Sequence, residues 1–432
     1  MTETKPHEEH RFATESQRMA IANPHWKRDF GLFLSSQTVS LLGSSLVQYA
    51  ILWYITLETN SGLMMALSIV FGFVPTFFLS PFAGVWADRY NRKWLIILAD
   101  LSIAAATVVL IVLFLLGYKA IWMLFVVSAV RSLGTAVQSP AVSAFLPQIV
   151  PDNQLMRANG MVASVQSALM LVSPMVSGAL MSLVQIEAVF MIDVLTCILA
   201  VLIFLTLRVA PHAKALEKQT VSYWHDMRLG FDYIRNHQYL RSMFIFFAFF
   251  FVLVSPAAFL TPLQVARSFG EDVWRLTAIE VTFSGGMLLG GILMTTWGGF
   301  KNRVHSMILS AYLIGINQIL LGVVANFWVY LVVMVAVGIT LPIFNTPALT
   351  LLQEKVDDAY LGRVFGVISM ISSGFMPLGM LFFGPLADHV SIEWQLIVTG
   401  ALLVVQAIVL HRSRSLIREG YAPVKDNAMQ AP

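Results

Sequence analysis

One cysteine, Cys197, stands among 432 residues. A single thiol excludes an intramolecular disulfide and a thiolate metal cluster. Charge is scarce as well. Asp, Glu, Lys and Arg make up 12% of the chain, against about 25% in soluble domains. No Gly-x-x-x-x-Gly-Lys-Ser/Thr run occurs, so the phosphate cradle of a P-loop ATPase is excluded. His-Glu-x-x-His, Cys-x-x-Cys and Gly-x-Ser-x-Gly are missing too, and the histidines fall mostly in tails and loops. An enzyme reading has no centre to build on, and no metal or cofactor is expected. The first 29 residues hold no apolar h-region, so no cleavable signal peptide is expected. The first apolar run must act as its own insertion signal.

What is present is hydrocarbon. Apolar residues form 57% of the chain, and mean hydropathy is +0.75. Twelve apolar runs reach the roughly 20 residues that a membrane crossing needs. They lie near 30–57, 63–87, 94–116, 120–146, 157–183, 187–208, 240–266, 274–298, 304–324, 327–353, 361–386 and 392–412. The expected fold is therefore an all-α membrane protein of twelve transmembrane helices. Residues 1–25 read as a cytoplasmic tail, 26–208 as a first six-helix half, 209–239 as a cytoplasmic linker, 240–412 as a second half and 413–432 as a second tail. Basic residues set the orientation. Only Lys119, Arg267 and Arg275 fall in loops on one side; Arg131 lies within a span, and the remaining twenty-three of the 27 fall on the other side. Both termini are expected to be cytoplasmic, in a multi-pass protein of a bacterial inner membrane. In the linker, Trp224, Met227, Phe231 and Ile234 recur at helical spacing among charged residues, which predicts an amphipathic helix on the membrane surface.

The halves echo one another. Asp152-x-x-Leu155-x-Arg157-x-x-Gly160 returns as Asp358-x-x-Leu361-x-Arg363-x-x-Gly366, and Trp86…Asn91-Arg92 returns as Trp297…Asn302-Arg303. These echoes and the even helix count predict two six-helix pseudo-repeats, the parallel-repeat plan of a known transporter class.

Between spans 2 and 3 runs Gly84-Val-Trp-Ala-Asp88-Arg89-Tyr-Asn91-Arg92-Lys93. The spacing resembles motif A of the major facilitator superfamily, with Asn91 where that family usually has glycine. Asparagine tolerates a left-handed turn, so the turn is expected to keep its shape. Ser173-Pro174-Met-Val-Ser177-Gly178 in span 5 resembles motif C, the antiporter signature, with serine at glycine positions. Small residues allow close backbone approach, and proline allows a bend; together they suit a hinge. Arg131-Ser-Leu-Gly134 resembles motif B. Further stretches, among them Ser284-Gly-Gly-Met-Leu-Leu-Gly-Gly291 and Tyr360-Leu-Gly-Arg-Val-Phe365, resemble the macrolide-efflux branch and the enterobactin-exporter-like group.

This resemblance implies a proton-coupled exporter that rocks two halves between inward- and outward-open states. Gly84, Asp88, Arg89, Arg92 and Lys93 are then the gating set, and Ser173, Pro174, Ser177 and Gly178 the hinge. Asp88 is expected to meet the free N–H groups at the start of span 11. Intramembrane charge is costly unless it pairs, meets water or is protonated, so Asp193, Glu280, Asp100 and Arg131 are the candidates for proton coupling. Structural ion pairing competes with that role for each of them. Glu280 could instead belong to the interface with Glu271 and Asp272. Gln37, Ser40, Ser44 and Gln48 form a polar stripe on span 1. With spans 1, 4, 7 and 10 lining the chamber, as in the superfamily, Gln37, Gln48, Tyr49, Trp53, Phe247, Phe250 and Asn345 are the candidate wall. Such a wall suits a bulky lipophilic solute, of macrolide type by the likeness, with protons as the other partner and the bilayer as solvent. No nucleic-acid partner is expected, and the protein is expected to be a monomer. Two alternatives stay open: export of a siderophore or other metabolite, and a membrane receptor or scaffold without transport.

Overall fold

A computed structural model describes residues 25–207 and 223–420. Fifteen α-helices follow in order, with no strand among the described residues. The first six are α1 (Trp26–Thr59), α2 (Gly62–Arg89), α3 (Arg92–Leu115), α4 (Ile121–Ile149), α5 (Asp152–Leu183) and α6 (Ile186–Leu205). Then come the linker helix α7 (Tyr223–Asn236), α8 (Gln238–Phe259), α9 (Thr261–Phe269), α10 (Val273–Trp297), α11 (Arg303–Val323), α12 (Phe327–Lys355), α13 (Asp358–Leu386), α14 (Ile392–Arg412) and the short α15 (Arg414–Glu419). Twelve segments are long and apolar enough to cross a membrane, with α8 and α9 counting as one. The chain is thus an all-α, multi-pass membrane protein. In hydrocarbon every backbone polar group must be satisfied within its own segment, and helices do this.

The boundaries have local causes. Asn91 and Asn302 occupy equivalent places before α3 and α11, and each side chain accepts the N–H two residues on, at 3.0 Å. The repeated Asn-Arg pair is a repeated N-cap. Asn91 sits in extended backbone (φ −65°, ψ 110°) and not in the left-handed turn expected of it. The asparagine works there by capping, so the missing glycine costs the turn nothing. The seventh span is also not one rod. It breaks at Leu260, where Pro256 weakens the preceding turn and Pro262 starts α9, because proline fits only the first turn of a helix without losing a hydrogen bond.

Chain contacts divide the protein into two compact units. One takes α1 up to Gln48, then Phe78–Ser173, then the chain from Val184 through α6. The other takes Tyr49–Phe77, Pro174–Leu183 and the helices from α7 onward. The first unit packs Phe33, Phe145 and Phe204 at its centre, with ring centroids 5.2–6.3 Å apart. In the second, small residues let helices touch backbone to backbone. A Cβ on Gly286 or Gly338 would collide with the Val335 and Phe283 carbonyls across the α10–α12 crossing. Gly315 and Gly400 do the same for α11 and α14, where each added Cβ would lie 2.7–2.8 Å from the other's carbonyl oxygen. Outward-facing Val398, Leu402, Val405 and Val409 recur along α14 at helical spacing, the apolar stripe that lipid requires.

Candidate functional site

The turn between α2 and α3 is basic because it has carbonyls to cover. The last four C=O groups of a helix have no partner within it. Arg92 donates to the Ala87 carbonyl near the end of α2 and to the Ala144 carbonyl of α4, both at 2.8 Å. Lys93 reaches the Leu205 and Leu207 carbonyls at the end of α6, at 3.0 and 2.7 Å. Two of the expected gating bases thus close helix ends of the first unit. Arg89 is exposed, and Gly84 has open space where a Cβ would stand. The Asp88 side chain lies outside the described set, as do the side chains of Trp224 and Met227 in the linker.

Deeper in the same unit, the intraspan charges converge. Arg131 of α4 forms a buried ion pair with Asp193 of α6, Nη1 to Oδ2, at 2.5 Å. The same nitrogen donates to Thr107 Oγ1 of α3 at 2.8 Å, and Nη2 donates to the Ser44 carbonyl of α1 at 3.2 Å. The Thr107 hydroxyl stands 3.2 Å from Asp193 Oδ2. One guanidinium therefore ties four helices together. Asp100 of α3 is buried nearby without a cation. Its Oδ1 accepts from Ser40 Oγ at 3.0 Å and from Gln138 Nε2 at 2.6 Å. Cys197 donates its thiol to the Asp100 backbone carbonyl at 3.3 Å. The structure thus brings Asp193 and Arg131 together, gives Asp100 neutral donors only, and leaves Glu280 in the other unit. Glu280 is half-buried on α10, within electrostatic range of the Tyr49 hydroxyl.

The hinge candidates sit where the two units divide: Ser173 ends a segment of one and Pro174 begins a segment of the other. Ser173 and Ser177 are fully buried, and the Ser173 hydroxyl has no partner. Gly178 is pressed against Thr277 of α10, where a Cβ would overlap the threonine hydroxyl. The serines at the glycine positions of the motif therefore still pack as small residues.

The candidate wall divides. Gln48 and Asn345 are exposed within their spans, and Tyr49 is half-buried. Gln37, Trp53, Phe247 and Phe250 are buried. Phe250 stacks on Phe344 at 4.3 Å and 10°, and Phe247 meets the same ring edge-on at 5.9 Å. Trp53 packs 5.5 Å from Tyr49 with no exposure and no partner for its Nε1–H. These four side chains fill the cores of their units rather than face an open chamber.

Sequence reasoning passed over Ser40, Thr107 and Gln138 as partners of the buried acids. It also passed over the seat of the linker helix. The Tyr233 hydroxyl of α7 donates to Asp357 Oδ2 at 3.0 Å, accepts the Asp357 N–H, and its ring stacks on Tyr360 at 4.5 Å. Burial raises the Tyr233 phenol above its ordinary range, and the neighbouring carboxylate adds to that against the pull of the Asp357 N–H. A Cβ on Gly230 would meet the Arg363 carbonyl at 3.1 Å, so α7 lies close against the start of α13.

Twelve membrane-length helices with an ion pair buried between spans define a multi-pass membrane protein. The sequence matches the Major Facilitator Superfamily over residues 33–380, and the chain belongs to that superfamily. Among known proteins it is similar to macrolide efflux protein A of Streptococcus pyogenes, 30% identical over 387 residues, covering 89% of this chain and 96% of that one. The protein of the same name from Enterococcus faecalis is 30% identical over 323 residues, covering 74% of this chain and all of that one. A solved structure of the nucleoside transporter NupG shares the fold, with a TM-score of 0.62 at 15% identity over 87% of this chain and 98% of that one.

Proposed function

We propose that this superfamily transporter is a proton-coupled exporter of bulky lipophilic compounds of the macrolide type, working by alternating access from a bacterial inner membrane with both termini in the cytoplasm. The observation that carries the reading is the 30% identity to macrolide efflux protein A across nearly its whole length. The chemistry agrees. Exposed Gln48 and Asn345 and half-buried Tyr49 supply amide and hydroxyl groups among apolar surface, the mix that orients a large, mostly apolar solute.

Proton carriage falls to Asp100 and Glu280. Asp193 is paired with Arg131, whereas Asp100 has only Ser40 and Gln138 for company. Burying an unpaired charge is expensive and burying a neutral acid is not, so Asp100, unlike Asp193, can hold a proton without breaking an ion pair. Arg131 and Asp193 then form the fixed charge beside it.

The test is expression in a macrolide-susceptible, pump-deficient bacterium. Resistance should rise, and a protonophore should remove the gain. Asp100→Asn and Glu280→Gln should bind substrate yet lose pH-driven efflux in at least one of the two. Unchanged macrolide accumulation with well-inserted protein would reject the substrate class; efflux indifferent to the protonophore would reject the coupling.

A further inference from the structure

At the face opposite the basic turn, an acid follows the last residue of α13. Asp388 lies two positions beyond Leu386, and its carboxylate points at the start of α2. Oδ1 accepts the Gly62 N–H at 2.7 Å; Oδ2 accepts the Leu63 N–H at 3.0 Å and the Ser61 hydroxyl at 2.9 Å. Arg267 of α9 adds an ion pair to Oδ1 at 3.1 Å. The same guanidinium also takes the Asn60 carbonyl at 2.7 Å, Asn60 Oδ1 at 3.1 Å and the Ala387 carbonyl at 2.6 Å. Asn60 holds a left-handed backbone (φ 47°) to turn its carbonyl there. Below this cluster, α2 and α13 cross glycine on glycine: a Cβ on Gly62 would overlap the Gly384 carbonyl, and one on Gly384 would lie 2.5 Å from the Ala66 side chain. Trp53, Met65, Ala66, Ile69, Met380 and Phe383 pack in one buried cluster beneath.

Every residue of this assembly lies in one compact unit, although α2 belongs to the first six spans and α13 to the second. The arrangement mirrors the expected role of Asp88. That acid stands in the last turn of α2, and the free N–H groups of α13 begin at Asp358. Here the acid follows α13 and the N–H groups are those of α2. A helix N-terminus offers unpaired N–H groups and positive dipole, and a carboxylate answers both.

We propose that Asp388, Arg267 and the Asn60–Leu63 turn form the second gate of the transport cycle, a latch that closes the face opposite the basic turn and must part for substrate to leave there. The inference rests on the alternating-access reading above, and its test needs no substrate. In a Cys197→Ser background, Ile69→Cys places a reporter thiol in the buried cluster under the latch. A membrane-impermeant maleimide is applied to right-side-out and to inverted vesicles, so orientation is not assumed. With the latch intact, labelling from the latch side should be slow. Asp388→Ala and Arg267→Gln should each raise it about tenfold or more, since every ~1.4 kcal/mol lost from the closed state is tenfold in population. As a converse, oxidising the pair Ser61→Cys and Asp388→Cys should cross-link the gate and keep the reporter protected until reductant is added. Labelling unchanged within about twofold in both single variants, with normal insertion, would overturn the latch. Faster labelling in a protein that exports no macrolide would leave the latch standing and reject only the substrate reading.

Discussion

Removing either partner of the Arg131–Asp193 pair should damage the protein far more than removing both. The pair is 10% and 3% exposed at its two side chains. Asp193→Leu leaves a guanidinium with two neutral acceptors, Thr107 Oγ1 and the Ser44 carbonyl. Arg131→Met leaves a carboxylate facing the Thr107 hydroxyl alone. Breaking a buried pair from one side costs about 3–5 kcal/mol, because the survivor is an uncompensated charge; replacing the whole pair with apolar residues is often neutral or stabilising by about 1–4 kcal/mol. Arg131→Met should be the worse single change, since the surviving carboxylate keeps one neutral donor whereas the surviving guanidinium keeps two acceptors. The double variant Arg131→Met/Asp193→Leu should recover most of the loss, with a coupling energy near the upper end of the roughly 0.5–3 kcal/mol usual for contacting residues. Unfolding of purified protein in mixed micelles, followed by tryptophan fluorescence for wild type, both singles and the double, measures the cycle. A coupling below about 0.5 kcal/mol would refute the claim that each group offsets the cost of burying the other.

Other outcomes follow from single features. Burial alone would raise the Asp388 pKa, but the N–H groups of Leu63 and Gly62, the Ser61 hydroxyl and Arg267 outweigh it and hold the carboxyl below its ordinary range. A depressed value means that the contact is fully present above about pH 3.9 and fades only as pH falls through the lower folded value. The thiolate fraction of the reporter itself changes with pH, so the quantity to follow is the ratio of Ile69→Cys labelling rates in Asp388→Ala and in the latch-intact protein. Measured with the exposed neighbour His389 changed to Gln, that ratio should be flat from about pH 5 to 8, and a titration of the ratio in that window would contradict the assignment. Trp53→Ala should cost about 3–5 kcal/mol as a core truncation, whereas Trp53→Phe should cost under about 2 kcal/mol, because it also removes a buried N–H without a partner. Equal losses in a thermal melt would show that the indole N–H is satisfied. Tyr118→Cys and Lys218→Cys in the Cys197→Ser background should label from opposite sides of the membrane, and labelling from one side would overturn the proposed topology.

The number and lengths of the spans were legible because a crossing helix has no freedom in composition: hydrocarbon on its flanks forces apolar residues along the whole segment. The repeated Asn-Arg echo was legible for a similar reason, since both copies cap a helix, although Asn91 meets the demand through its side chain and not through a left-handed backbone. The chamber wall was not legible. An aromatic in a span looks the same whether it meets solute or another ring, and Phe247, Phe250 and Trp53 meet protein. The partners of Arg131 were half-legible: a guanidinium within a span needs an acid nearby, but which acid takes it depends on helix rotation, and Thr107 and Gln138 carry no sign in a charge count. Asp388 was missed because a single acid in a short loop reads as solvated until the helix end it faces is known.

The glycine crossings of α10 on α12 and of α11 on α14 bear on how the protein should be extracted. Where a Cβ would strike a neighbouring carbonyl, no detergent tail can enter, and the contact depends on van der Waals fit rather than on water's aversion to oil. Those helix pairs should survive a change from lipid to short-chain detergent with little loss. The first unit relies instead on one guanidinium that joins four helices, and stray water admitted by a small micelle would compete for it directly. Preparations that inactivate on the bench should therefore fail first in α1, α3, α4 and α6, and added lipid should protect those helices before any others.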